Sequence, residues 1–371
     1  MMHLIPTIQK NKQSFVMKQK ITTVGILGGG QLGRMSALAG ARLGIKSHIY
    51  CPETDCPASQ VTDLFTNSEY SNEQALEKFA RSVDVITYEF ENIPLETVDF
   101  LAKFKPVHPG RRLLEISQDR INEKFFLNSI GIETARWAPC ASPDNITQTL
   151  VKWQTSKCIL KTTRFGYDGK GQLKHDDKKS TSESFLKLGN QPLIIEDIIE
   201  FECEASIIVA RDIFGKICIF PPTVNNHKNH ILSESIAPAR LDKQTIRNAV
   251  SMASKLAEAV DLVGVLALEL FITKDGKLIA NEIAPRTHNS GHWTMDGCNV
   301  SQFEQHMRAV SGLPVLEPVQ HSAVTMVNLI GDDVLKLPEY LAMDNACVHL
   351  YGKAEAREGR KMGHVNLVKP L

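Results

Sequence analysis

Three stretches of this sequence carry residues whose types and spacing could do chemistry. The first is VGILGGGQLGRM at residues 24–35, where Gly28-x-Gly30-x-x-Gly33 follows an apolar run. That is the spacing of a dinucleotide-binding turn, in which glycines let backbone amides approach a phosphate at a helix start. Glu53, twenty residues beyond Gly33, even stands where such folds place a ribose-binding acid. The loop admits two readings, a nicotinamide cofactor or another phosphorylated ligand.

The second stretch is TTRFGYDGKGQLK at residues 162–174. It is rich in glycine but is no Walker loop, which needs Ser or Thr directly after its lysine; here Gly171 follows Lys170. Apolar runs on both sides predict strand, loop, strand. Such a flap can close its backbone amides over phosphates, with Lys161 and Lys170 supplying charge. A mobile hairpin turn without a ligand is the plainer alternative.

The third is VGVLALELFITKDGKLIANEIAPR at residues 263–286. Asp275-Gly276 between Lys274 and Lys277 predicts a two-residue type I′ turn. Pairing Lys274 with Lys277 then sets Glu269 opposite Glu282. Directly opposed Cβ atoms lie about 4.5–5.5 Å apart, and like charges there are destabilising. A cation between them would relieve this. Mg²⁺, held jointly by carboxylates and nucleotide phosphates, is the natural candidate. One protonated glutamate, or two solvated at a sheet rim, is the alternative.

Positioning these groups requires two kinds of framework. Residues 22–27, 46–50 and 83–87 read as strands, with helices over 31–43 and 73–80 between them. This alternation predicts an α/β, doubly wound parallel-sheet domain up to about residue 115. Ligands of such sheets bind at the carboxyl ends of the strands, where loop 28–33 and the Glu89 and Glu91 of YEFEN (88–92) would share a crevice. A helix over 119–128 follows. Beyond residue 157 the pattern becomes hairpins and separate helices, CILKTT, GQLKH, PLIIED, CEASIIVA and KICIF among the strands, which predicts an α+β unit. A helix is expected over 243–260.

Composition narrows the function classes. The 371 residues suffice for two or three domains. Lys plus Arg number 42 and so do Asp plus Glu, so no basic excess points to nucleic acid or a membrane surface. No apolar run reaches the roughly 18 residues a span needs. Eight cysteines without a C-x-x-C pair read as reduced thiols of a cytoplasmic protein. His288 and His292 would have metal-ligand spacing on a helix, but Gly291 and Pro285 argue for a loop. Residues 1–20 are polar and aperiodic and read as a disordered extension, with Met17 a second candidate start.

GGGQLGRM, FGYDGKGQ, NEIAPRTHNSGHWT and GRKMGHVNL together resemble the N5-carboxyaminoimidazole ribonucleotide synthetases of the ATP-grasp superfamily, from about Ile21 to Leu367. The resemblance implies a pre-ATP-grasp domain (21–115), an ATP-grasp domain (116–313) and a small C-terminal domain (314–371). It implies ATP, bicarbonate and 5-aminoimidazole ribonucleotide as substrates, Mg²⁺ as cofactor, and a homodimer. Arg120 and Lys161 would contact ATP phosphates. Gly166, Tyr167, Asp168, Gly169, Lys170, Gly171 and Gln172 would form the flap. Glu196, Asp197, Ile198 and Ile199 would form the adenine hinge, with Glu204 on the ribose and His227 and Asn281 completing the nucleotide site.

Glu269 and Glu282 would hold the metal by resemblance as well as by register. Many relatives carry an asparagine ligand two residues on; here that position is Ala284. Tyr167, Asp168, Arg286, His288 and Asn289 would serve bicarbonate and the aminoimidazole, Asp168 as the base and Arg286 as a planar fork for bicarbonate. Lys353 and Arg360 would clamp the ribonucleotide phosphate, with Gln31, Leu32 and Glu89 on its other side. On this reading loop 28–33 faces a ribonucleotide phosphate. The chain also stops sooner after Leu367 than many relatives do. Competing readings are another ATP-grasp ligase, a nicotinamide dehydrogenase and a non-catalytic nucleotide sensor.

Overall fold

The computed structural model describes residues 22–166 and 168–371; the expected extension over 1–20 and Tyr167 lie outside the described residues. The N-terminal unit is a four-stranded parallel sheet ordered Leu64–Asn67, Lys46–Cys51, Thr23–Leu27, Val85–Tyr88. Its strands are apolar on both faces because both are covered. Leu27 packs with Leu76 and Phe79 of helix Glu73–Ser82, while Val24 and Ile26 pack with Ala37 of helix Gln31–Arg42. Asn72 caps the former helix by accepting from the amide of Ala75. The strand Leu64–Asn67 lies in a stretch without clear period. It is an exposed edge strand of four residues, too short and too wet to show one.

Two antiparallel sheets follow. The smaller orders Trp137–Cys140, Leu193–Glu196, Cys158–Thr162, Gln172–His175, so the expected flap hairpin forms. The larger runs Leu278–Ala284, Gly264–Ile272, Cys203–Arg211, Thr223–Lys228, Ile231–Ala237, Ser322–Ile330, Lys361–Pro370, Ala346–Leu350, with Ile217–Ile219 also on Cys203–Arg211. Residues 322–370 therefore add strands to the central sheet and build no sheet of their own, because Ser322–Ile330 continues the hydrogen-bonded ladder of Ile231–Ala237.

Alternation along Gly264–Ile272 decides what each face meets. Leu266, Leu268 and Leu270 join a core with Ala249, Ala253 and Leu256 of helix Lys243–Ala259. Val265 and Ala267 join Trp293 and Val300 on the other face. Helix Gln302–Val310 ties the units together, since its Met307 and Val310 enter the core under the N-terminal parallel sheet.

The glutamate hairpin differs from expectation twice. Lys274, Asp275 and Gly276 form a three-residue loop in which Thr273 and Lys277 bond each other and Gly276 takes φ +77°. A type I turn followed by a left-handed glycine produces this geometry. The pairing Leu270 with Ala280 is accordingly one residue off the expected register. A bulge between Glu269 and Leu270 then restores it, so that Glu269 does face Glu282. The residue left over is Asn281, whose carbonyl accepts from the buried Nζ of Lys124 at 2.6 Å.

Candidate active site

Where the parallel sheet meets the glutamate hairpin lies a cleft of about 390 Å³. Gln31, Leu32 and Glu89 line it from the N-terminal unit. Arg120, Gly166, Asp168 and Glu282 line its middle, and Arg286, His288 and Asn289 its far wall. Phe90, Glu91, Glu123 and Lys361 belong to it as well.

The glycine loop is not an open phosphate cradle. Gly28 has φ +107°, which only glycine adopts without strain, and helix Gln31–Arg42 starts directly after Gly30. Two of the amides around this helix start are engaged. The Glu89 carboxylate accepts from the amide of Gly30, and from that of Gly33 at 2.7 Å. A Cβ on Gly30 would lie 2.6 Å from Glu89 Oε1, so the close approach that requires this glycine is made by the chain's own side chain. The expectation that loop 28–33 faces a ribonucleotide phosphate is narrowed accordingly: Glu89 holds the Gly30 and Gly33 amides, and Gln31 and Leu32 are the loop residues beyond them that line the cleft. Burial raises the Glu89 pKa, against the pull of these two amides, Arg286 and Lys353. Glu53, the ribose-acid mimic, is exposed and accepts from the Cys51 thiol.

The nucleotide end is built around charge. Lys161, on strand Cys158–Thr162, lies 2.6 Å from Glu196 Oε2, and Lys124 lies 3.3 Å from Glu196 Oε1. Lys124 is 0% exposed, so Glu196 is the counter-charge without which two buried ammonium groups would stand together. Although burial opposes ionisation, the two lysines hold the Glu196 carboxyl down to about 2. The Glu196 side chain therefore belongs to the lysines, and any part in the expected hinge falls to its backbone. Asp197 pairs with Arg136 at 2.8 Å and accepts from the amide of Ile198; Ile198 and Ile199 are half-buried. Asn281 Oδ1 takes a hydrogen bond from Lys161 at 3.3 Å. Glu204 and His227 pair at 3.3 Å on neighbouring strands.

Glu269 and Glu282 are unequal partners. Glu282 lies 3.0 Å from Arg120; burial resists its ionisation, but Arg120 and Lys161 outweigh it and lower its pKa. Glu269 is raised, by burial and by Glu282 opposite, against a weaker pull from His227 and Lys361, and lies 3.2 Å from His288 Nε2. Two opposed, half-buried carboxylates with hard oxygen donors and too little local positive charge fit a divalent cation such as Mg²⁺. Among the described residues no group of three or more His, Cys, Asp or Glu is placed to hold a metal. With Ala284 contributing nothing, further ligands would come from a bound phosphate and water.

At the far wall Arg286 uses three of its five N–H groups. It meets both Glu91 oxygens, at 2.5 and 3.1 Å, and donates to the carbonyl of Thr287. Despite burial, Arg286 holds the Glu91 carboxyl at about 2. Burial and the Arg286 charge push His288 down to about 3, so its ring is neutral. A single 3-10 turn at Asn289–Gly291 carries this wall, and Gln302 grips it from behind. Gln302 accepts from the His288 amide at 2.9 Å and donates to the His288 carbonyl at 2.6 Å.

The flap keeps Gly169 and Gly171 at φ +78° and +72° on either side of Lys170, and Gln172 pairs with Lys161 across the hairpin. Asp168 itself takes φ +45° and lies 2.8 Å from Lys361 Nζ. Lys353 donates to the Lys361 carbonyl at 2.7 Å, and Arg360 to the Glu355 carbonyl at 2.9 Å. The clamp is thus joined to the cleft through Lys361. Lys361 belongs to the basic cluster that the sequence shows with Lys353 and Arg360; its reach to Asp168 across the fold is what the sequence does not show. Glu123 was not singled out. Burial pushes Glu123 up to about 7, and it accepts from the Ile283 amide at 2.6 Å. A glutamate in the first turn of helix Arg120–Ser129 was the available signal.

Comparison with known proteins now bears on this geometry. The ribonucleotide synthetase preATP-grasp domain family matches residues 21–118, the ATP-grasp domain family 125–303, and the phosphoribosylaminoimidazole carboxylase C-terminal domain family 324–370. The N5-carboxyaminoimidazole ribonucleotide synthase of Brucella melitensis is 49% identical over 94% of this chain and 97% of its own. The chain belongs to the N5-carboxyaminoimidazole ribonucleotide synthetase family. The Staphylococcus aureus N5-carboxyaminoimidazole synthetase, solved with ADP, aligns with a TM-score of 0.89 at 34% identity, covering 94% of this chain and 93% of that one. The Aspergillus clavatus enzyme, solved with ADP and 5-aminoimidazole ribonucleotide, aligns at 0.88 and 29% identity, covering 94% of each. As a synthetase of this family the chain is an ATP-grasp ligase of purine biosynthesis, which removes the dehydrogenase reading of the glycine loop.

Proposed function

We propose that the cleft converts ATP, bicarbonate and 5-aminoimidazole ribonucleotide into ADP, phosphate and N5-carboxyaminoimidazole ribonucleotide. The observation that carries this reading is one cavity lined at once by Arg120 and Glu282, suited to polyphosphate and metal, and by Asp168, Arg286, His288 and Asn289, suited to the acceptors. A bicarbonate oxygen attacks the γ-phosphorus, ADP leaves, and carboxyphosphate forms. Carboxyphosphate then releases phosphate and CO₂. The exocyclic amine forms the new C–N bond to that CO₂ and passes a proton to Asp168.

On this reading Arg120 and Lys161 bind the transferring phosphates, and residues 166–172, Tyr167 included, close over them. Glu196, Asp197, Ile198 and Ile199 supply the base-facing backbone, Glu204 and His227 the ribose side, and Asn281 steadies Lys161. Glu269 and Glu282 would hold Mg²⁺, which supplies charge neutralisation for the phosphates when bound. Arg286 has Glu91 as its standing partner, so bicarbonate competes with or shares that carboxylate. Neutral His288 offers a hydrogen bond without adding charge. Lys353 and Arg360 take the ribonucleotide phosphate, opposite Gln31, Leu32 and Glu89. Residues 21–115, 116–313 and 314–371 are read as the three domains, and the enzyme as a cytoplasmic homodimer.

The test is phosphate release from ATP with each substrate omitted in turn. Full release must require bicarbonate and the aminoimidazole ribonucleotide together. Equal release without the ribonucleotide, or N5-carboxylated product without bicarbonate, would overturn the assignment.

A further inference from the structure

Asn289 reaches the cleft with an amide that could face it either way round, because oxygen and nitrogen of a carboxamide have nearly the same shape. The residue behind it removes that freedom. Asn328, on the central strand Ser322–Ile330, is 2% exposed. Its Nδ2 donates to the carbonyl of Leu232 at 2.8 Å and to Asn289 Oδ1 at 2.9 Å; its Oδ1 accepts from Asn289 Nδ2 at 2.9 Å. A backbone carbonyl can only accept, so the Leu232 oxygen dictates that Asn328 turns Nδ2 toward it. With Asn328 oriented, the reciprocal pair dictates Asn289. One N–H and one oxygen lone pair of Asn289 are consumed by Asn328, leaving one N–H and one lone pair for the cleft in a set arrangement.

We infer that Asn328 is a positioning residue for the aminoimidazole ribonucleotide, acting through Asn289 by fixing the polarity of its amide. The inference rests on the proposed reading that Asn289 contacts that substrate. Asn328 itself does not line the cleft. It reads the Leu232 carbonyl, an acceptor set by the fold of strand Ile231–Ala237, and copies that polarity into the substrate site. The neighbouring grip of Gln302 on the His288 backbone fixes where the wall stands; Asn328 fixes which way its amide faces.

The experiment uses Asn328→Asp, Asn328→Leu and Asn289→Ala singly, and each Asn328 variant combined with Asn289→Ala. Aspartate keeps the shape but has no N–H to give, so it cannot satisfy Leu232 and repels Asn289 Oδ1. Leucine removes the pairing without a charge, and it decides the matter if the aspartate variant does not fold. ADP-induced thermal stabilisation reports that the nucleotide site is intact. Both Asn328 variants should raise the KM for the ribonucleotide by about tenfold, the loss expected of one directed hydrogen bond, and leave the KM for ATP within about twofold. In the Asn289→Ala background neither should raise the ribonucleotide KM further. Equal rises in both KM values, or additive effects in the double variants, would make Asn328 merely structural. An Asn289→Ala enzyme with an unchanged ribonucleotide KM would instead overturn the reading of Asn289 and, with it, this inference.

Discussion

The glycine loop and the glutamate hairpin are the two strongest chemical signals in this chain, and they end in opposite states. The loop offers amide donors at a helix start, and the chain fills two of them with Glu89. The hairpin offers two carboxylates face to face, and the chain sets Arg120 against one of them and a neutral histidine against the other. The first is a ligand site partly taken from within; the second is charge left open for something to bind. A motif announces which groups are offered, and tertiary structure decides whether a protein side chain has already taken them.

The hairpin half of this comparison carries the largest expected effect. Glu269→Gln and Glu282→Gln should each cost about 10³-fold or more in turnover, as losing a charged anchor of a phosphoryl-transfer site does. Their stabilities should diverge. Glu269→Gln removes a carboxyl already disfavoured as an anion and should leave the metal-free melting temperature unchanged or higher. Glu282→Gln strands Arg120 and should lower it. Activity near that of the unmutated enzyme in either variant would break the metal assignment, and equal melting temperatures would break the asymmetry.

Next comes the question of where the ribonucleotide phosphate goes, if loop 28–33 is closed. Arg360→Ala should weaken ribonucleotide binding by about 1.5–3 kcal/mol and leave ATP binding alone. Calorimetric titration of both ligands separates the cases; a parallel loss for ATP would remove Arg360 from the clamp.

The closed loop can be opened on purpose. Glu89→Ala leaves the Gly30 and Gly33 amides without their acceptor and should cost about 1–3 kcal/mol of stability. Inorganic phosphate should then restore part of the melting temperature in the variant and do nothing of the kind in the unmutated protein. The unmutated protein should not bind NADH by fluorescence titration. A parent protein that binds NADH, or a variant indifferent to phosphate, would dissolve the contrast between the two regions.

The smallest effect is a pH dependence. Burial, with Arg360 and Lys361 nearby, brings Lys353 down to about 8. A lysine binds phosphate only when protonated, so its contribution is complete below that value and lost above it. The KM for the ribonucleotide should be flat from about pH 7 to 8 and then rise by up to about tenfold per unit. Lys353→Arg should flatten the rise, because guanidinium stays charged throughout. A KM that falls above pH 8 would place another group in control.

What could be read from the sequence follows from the range of each interaction. Strand–helix alternation over 22–88 and the flap hairpin depend on local period and showed clearly. The opposition of Glu269 and Glu282 was legible although the turn type was not, because a G1-type loop and a bulge shift the register in compensating directions. Helices Leu95–Leu101 and Thr181–Lys187, of seven residues each, are too short to display a period. Pairings across great sequence distance stayed hidden. Glu89 with Gly30, Glu91 with Arg286, Asp168 with Lys361 and Asn289 with Asn328 each need the fold before they exist. Their residue types were visible; their engagement was not.

The strand Lys361–Pro370 lies between Ser322–Ile330 and Ala346–Leu350, not at the rim of the sheet. It brings Lys361 to Asp168, and Asn366 to the carbonyl of His292 and the carboxylate of Asp296. The cleft therefore gains its last wall only when this strand has been inserted between its two neighbours. A polypeptide clipped before residue 361 leaves Ala346–Leu350 without a neighbour and the flap aspartate without its lysine. Quality control falls out of the topology: a copy of this enzyme that has not seated this strand has no completed cleft in which to spend ATP.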